Sequence, residues 1–166
     1  IFRQNTATDQ GGSISIENWR SVNFTVRNSK FIGNQAGLGG VIYLSGMRDA
    51  ECKISNSVFD SNSGDEGGAI YGIDSSGRFR LHNNQFVKNT AVDDGGAVLL
   101  EKTDYQDLTV SLKNTTFWEN AADRGAAIRF RGSDSSSNDP KSTKIFMSRC
   151  TFSRNLGNAS DRKSVV

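Results

Sequence analysis

Along this chain the large apolar residues fall neither at helical spacing nor in long runs. They alternate with polar residues in short stretches, and the stretches recur every 28 residues or so. The motif F-x-x-N appears at Phe2–Asn5, Phe31–Asn34, Phe59–Asn62, Phe86–Asn89, Phe117–Asn120 and Phe152–Asn155. Successive phenylalanines stand 29, 28, 27, 31 and 35 residues apart. Eight or nine residues after each of the first five comes a small-residue pair: Gly11-Gly12, Gly39-Gly40, Gly67-Gly68, Gly95-Gly96 and Gly125-Ala126. A small or apolar residue and then Ile14, Ile42, Ile70, Val98 or Ile128 follow. Two motifs kept in phase over five periods are a structural repeat.

Alignment on Phe exposes two further apolar columns. Val26, Ile54, Leu81, Leu112 and Met147 lie five residues before it, and Phe24, Cys52, Phe79, Val110 and Ile145 seven before it. Spacing by two is the mark of a strand with one buried face. Each period therefore predicts about three short strands separated by turns, and one such unit has nothing to pack against. Stacking the units cures this, because each strand pairs in parallel with its equivalent in the next coil, at about 4.8 Å. The predicted fold is all-β, a right-handed parallel β-helix of about five coils of about 28 residues, some 25 Å tall. The six Phe and six Asn form structural ladders, the Asn bonding their own turns and one another. The Gly pair marks a corner that needs positive φ or close backbone approach. A helical solenoid would show 3.6-residue periodicity, and none is present.

Coils longer than 28 residues carry surface loops near 45–50, 101–107 and 131–142, the last with the lone proline, Pro140. Residues 1–166 read as one β-helix segment of a longer protein. The closing Ser164-Val165-Val166 resembles the start of another strand, which leaves strand edges to be covered by further chain or by neighbours.

Composition narrows the class. With 35% hydrophobic residues and no long apolar run, nothing reads as a membrane span. Twenty basic against 18 acidic residues give a net charge of +2, which offers no overall attraction to nucleic acid or anionic lipid. Cys52 and Cys150 make no disulfide framework, and they fall too many coils apart to pair. N-x-S/T sequons at Asn23, Asn114 and Asn158 suit a secreted glycoprotein, although Asn114 shares the column of Asn28 and Asn56 and also reads as a turn residue.

The pairing of G-G-A-[ILV] with F-x-x-N resembles the repeats of chlamydial polymorphic outer membrane proteins. Gly67-Gly68-Ala69-Ile70 and Gly95-Gly96-Ala97-Val98 match in full, and the likeness runs from Phe2 to Asn155. It implies a surface-exposed passenger or stalk, often adhesive.

One constellation hints at chemistry. Asp9, Asp65, Asp93 and Asp123 stand two residues ahead of a Gly pair, and Glu66 and Asp94 follow two of them. Stacked in register, Asp65, Asp93 and Asp123 could bind Ca²⁺ or supply a glycosidase acid/base pair. Solvated turn residues before Gly explain them better. His82, next to the inward Leu81, should face out, and with no second His it predicts no metal site. Tyr43 and Tyr71 share an outward column that could stack on sugars or meet a partner chain, and sheet-stabilising cross-strand pairs explain it equally well. Neither catalytic residues nor a cofactor is expected. The expected role is a non-enzymatic extracellular or cell-surface module (stalk, filament or appendage component, or adhesin). Its expected partners are protein neighbours in an assembly or longer chain, and glycans, with no nucleic acid and no direct membrane insertion. The alternative is a carbohydrate-active β-helix enzyme, a polysaccharide lyase or hydrolase, or a carbohydrate- or calcium-binding module.

Overall fold

In the computed structural model, which describes residues 1–18, 23–47, 49–74, 76–102, 107–132 and 142–157, the chain is a parallel β-solenoid. Every inter-strand pairing runs parallel, from one coil to its equivalent in the next. Four walls enclose the interior. The Phe wall stacks six strands: Phe2–Arg3, Lys30–Ile32, Val58–Asp60, Gln85–Val87, Thr116–Trp118 and Thr151–Ser153. A corner wall follows, with Ser63–Glu66, Thr90–Asp94, Ala121–Ala122 and Leu156–Gly157. After the Gly pair comes the Ile wall, of Ile14–Ile16, Ile42–Ser45, Ile70–Ile73, Val98–Glu101 and Ile128–Arg131. The long wall closes the coil with Asn23–Arg27, Ala50–Ser55, Gly77–His82, Leu108–Lys113 and Thr143–Ser148.

The expectation of three strands per coil needs correction to four. The corner wall carries small residues such as Gly64, Ala91 and Ala122 on its inner side, so the large-apolar alternation that marks the other walls is missing there. About four turns of about 28 residues are complete, where the Phe register alone gives about five. The first coil enters the corner wall only through isolated bridges such as Thr6 with Gln35 and Gln10 with Leu38. The outer part of each predicted loop (48, 103–106 and 133–141) lies outside the described residues, as do Asn158 and Ser164–Val166.

The interior is built from ladders. Neighbouring Phe rings stack with centroids 4.7–4.9 Å apart and planes within 16°. Phe31, Phe59, Phe86 and Phe117 are fully buried. Offset stacks of this kind contribute roughly 0.5–1.5 kcal/mol per pair beyond burial of their area. Cys52 lies buried between Phe24 and Phe79 and acts as a small hydrophobe, its thiol pKa pushed up by burial.

The Asn ladder satisfies nearly all its own polar groups. Asn89 Oδ1 accepts from the Asn62 backbone N–H at 3.1 Å and from Asn62 Nδ2 at 2.9 Å. Its own Nδ2 donates to Phe59 O at 3.0 Å and to Asn120 Oδ1 at 2.9 Å. The same set recurs at Asn34, Asn62 and Asn120, all fully buried. The residue before each Asn, such as Gly33, Ser61, Lys88 or Glu119, takes positive φ of 53–61°.

The Gly pair divides its two expected duties. First members Gly11, Gly39, Gly67, Gly95 and Gly125 hold φ of 54–66°. At the second, a Cβ on Gly68 would meet Gly96 O at 2.2 Å and Thr90 O at 2.4 Å, so two coils touch backbone to backbone.

Candidate functional site

With the interior filled by ladders, the chemistry lies outside. Across the Gly pair, side chains on the outer faces of the corner and Ile walls pack against each other. The residue before the Gly pair contributes Leu38, Glu66, Asp94 and Arg124 in register. From the Ile wall come Tyr43, Tyr71, Leu99 and Arg129, and beyond them Ile73, Glu101 and Arg131.

The apolar half of this corner is a second small core. Tyr43, Tyr71 and Leu99 are buried against Leu38 and Ile73, with the two Tyr rings edge-on at 5.7 Å. Of the readings the outward column allowed, this burial favours the sheet-stabilising one over contact with sugars or a partner chain: Tyr43 is 6% and Tyr71 3% exposed. Sequence alternation placed both outside the interior, and rightly so. It held no signal that the outside folds back on itself. Burial raises the pKa of both phenols, and at Tyr71 the charge of Glu101 and the hydrogen bond to it add to the rise.

The polar half is an ion-pair clamp. Asp94 is fully buried and faces three guanidinium groups: Arg124 Nε at 2.7 Å, Arg129 Nε at 3.3 Å, and Arg131 Nη2. Arg131 Nη2 also donates to Glu66 Oε1 at 2.8 Å, and Nη1 to Glu101 Oε2 at 2.9 Å. Glu101 in turn accepts from the Tyr71 hydroxyl at 3.0 Å. Burial works against the Arg131 charge, but its bonds to Glu66 and Asp94 and the charges of Glu66 and Glu101 outweigh it, raising its pKa. One guanidinium thus ties three successive coils, in the planar, multidentate manner open to Arg and closed to Lys. Each carboxylate here has a cationic partner, an arrangement that neutralises charge and holds coils in register.

The acidic edge from the sequence stands one residue away. Asp65, Asp93 and Asp123 are exposed on the outside of the corner wall, while Glu66 and Asp94 turn into the clamp. Among the described residues no group of three or more His, Cys, Asp or Glu is placed to hold a metal ion. His82 is half-buried on the outer face of the long wall, with Nε2 at 3.0 Å from Ser111 Oγ.

Of the sequons, Asn23 is exposed on the long wall. Asn114 is exposed at a turn with φ of 49°, its amide donating to Asn83 Oδ1 at 3.0 Å, which makes it part of a surface ladder with Asn56 and Asn83.

A buried polar ladder escaped sequence reading. Two residues before each Phe, Ser57, Asn84 and Thr115 each accept a backbone N–H from the preceding coil, at 3.2, 3.0 and 3.4 Å. The column mixes Ser, Asn, Thr and Cys, so no motif betrays it. Only the shared ability to accept one hydrogen bond could have done so.

Residues 56–73 match the model of the Chlamydia polymorphic membrane protein (Chlamydia_PMP) repeat. That stretch runs from the turn at Asn56 through the Phe59 and Asn62 ladders and the Gly67-Gly68 corner to the end of one Ile-wall strand. No curated protein and no solved structure matches the chain. The matched segment lies within one rung of a β-solenoid whose other rungs repeat its two motifs, and over residues 56–73 that rung is similar to the polymorphic membrane protein repeat.

Proposed function

We propose that this chain is a non-enzymatic segment of an extracellular or cell-surface protein, serving as a structural or adhesive solenoid: a stalk, filament or appendage component, or adhesin passenger. The observation that carries the reading is that the regular features of the coil serve stacking. Phe and Asn ladders fill the interior, the Gly pair lets coils touch, and the buried carboxylate Asp94 is engaged by arginines. The repeat match to a membrane-protein family of bacterial surfaces supports the location. Its partners on this reading are protein neighbours along the stack or beside it, and glycans met at the surface.

The test is labelling of intact, unpermeabilised source cells with an antibody to the chain, before and after external protease. Surface signal that protease removes is the expected result, and signal that needs permeabilisation overturns the reading. Release of reducing ends or unsaturated sugars from a polysaccharide panel would overturn the non-enzymatic part.

A further inference from the structure

The net charge of +2 conceals an uneven distribution. Phe79, Leu81 and their equivalents point inward from the long wall, so alternate residues face out. Those outward positions hold Arg27, Lys53, Arg78, Arg80, Lys113 and Lys144, with a cation on every rung, against a single acid, Glu51. Six positive charges less one negative give +5 on this face, so the rest of the chain sums to −3. Glu51 is already engaged by Arg80 at 2.9 Å and Lys53 at 3.7 Å. Arg27, Arg78, Lys113 and Lys144 are exposed and form no ion pair among the described residues. His82 senses the resulting field: burial first, then the charges of Arg80, Lys113 and Lys53, push its pKa down.

We propose that the outer face of the long wall binds an extended acidic polysaccharide through its sulfate or carboxylate groups. A parallel sheet sets its cations on a regular lattice, about 4.8 Å from rung to rung and about 6.7 Å between alternate residues of one strand. That rung spacing compares with the length of a sugar ring in an extended chain, so successive anionic groups meet successive strands. Single-stranded nucleic acid fits less well, because it is held by aromatic platforms between the cations, and among the described residues this face offers only Phe146 and the half-buried His82 ring. Duplex DNA is read by an element that enters a groove, which a wall five strands wide is too broad to do. The choice of a sugar polymer among polyanions rests on the surface-module reading; the charge array does not.

The test is surface plasmon resonance of the chain on a size-defined heparin oligosaccharide across a salt series. Arg78→Ser/Lys113→Ser/Lys144→Ser removes three exposed cations whose side chains form no ion pair or hydrogen bond among the described residues, and circular dichroism checks that the fold persists. Binding should weaken about tenfold or more, and the slope of log affinity against log salt should fall by about 2 to 3, as counterion release requires. The variant Arg3→Ser/Lys30→Ser/Arg154→Asn makes the same net-charge change off this face and should lose less than about threefold. Equal losses in both variants would overturn the proposal, as would a wild-type chain that ignores heparin. Tighter binding to single-stranded DNA or to phosphatidylserine vesicles would overturn the sugar assignment. A chain that ignores heparin yet labels at the cell surface removes this inference and leaves the surface module standing. Heparin binding by a chain that never reaches the surface does the reverse, and takes the choice of a sugar with it.

Discussion

Replacing Asn89 by Ala tests whether the Asn ladder, more than the apolar interior, holds the coils in register. Asn89 is fully buried at the middle of the stack and takes part in four side-chain hydrogen bonds. Truncation strands the Asn62 backbone N–H, one hydrogen of Asn62 Nδ2 and the acceptor site on Phe59 O. Asn120 Oδ1 keeps a donor, the Asn89 backbone N–H at 3.0 Å. The Asn62 N–H loses its partner, while Asn62 Nδ2 keeps Phe31 O at 3.1 Å and, like Phe59 O, loses one bond; at about 1–3 kcal/mol for each buried group left short, and allowing for water entering the gap, the loss should be about 3–6 kcal/mol. For a domain of ordinary stability, about 5–15 kcal/mol, that is a large share. Asn5 supplies the control. It is the exposed end of the same ladder, and Asn5→Ala should cost about 1 kcal/mol or less. Urea unfolding followed by circular dichroism and tryptophan fluorescence, with coincident transitions required, measures both. Asn89→Leu adds a further discrimination, since it restores volume and should still lose most of the stability. Losses within 1 kcal/mol of each other for Asn89→Ala and Asn5→Ala, or a leucine variant as stable as wild type, would refute the reasoning.

Three more predictions rest on separate features. Gly68→Ala drives a Cβ into Gly96 O and Thr90 O and should cost about 3 kcal/mol or more, or abolish folding, whereas Gly132→Ala, with open space around it, should change stability by less than about 0.5 kcal/mol in the same urea assay. Arg131→Met should lower stability by about 1–3 kcal/mol, discounted because the side chain is 28% exposed, and Arg131→Lys should recover less than half; a double-mutant cycle with Glu66→Gln that proves additive would deny the clamp. The His82 ring, titrated by NMR, should show a pKa below 6.5 that rises when Lys113→Ser removes a neighbouring charge. Because the folded pKa is depressed, the unfolded chain binds more protons, so the His82 contribution is intact above pH 6.5 and stability falls as pH drops below it.

How far the sequence alone could reach depends on whether a column repeats a residue type or only a role. The Phe and Asn ladders were legible because identical side chains stack on themselves: a ring prefers a ring at 4.8 Å, and an amide offers both the donor and the acceptor its own copy needs. The column Ser57, Asn84 and Thr115 performs an equally buried task with three residue types, because accepting one N–H demands only an oxygen. The corner wall escaped for a related reason. Where coil meets coil most closely the inner residues must be small, and Gly64, Ala91 and Ala122 leave no hydrophobic alternation to detect. The outer clamp lay deeper still. Glu66, Asp94 and Arg131 come together only because a corner folds the outside of one wall onto the next, and a period-two reading assigns each residue to inside or outside without saying that an outside can be enclosed. The same blindness worked in reverse on the long wall. Total charge suggested an indifferent surface, yet a parallel stack aligns equivalent positions, so a modest excess of cations at three outward positions becomes a continuous face. In a solenoid, register converts composition at one coil position into a surface property, and that is where further function should be sought.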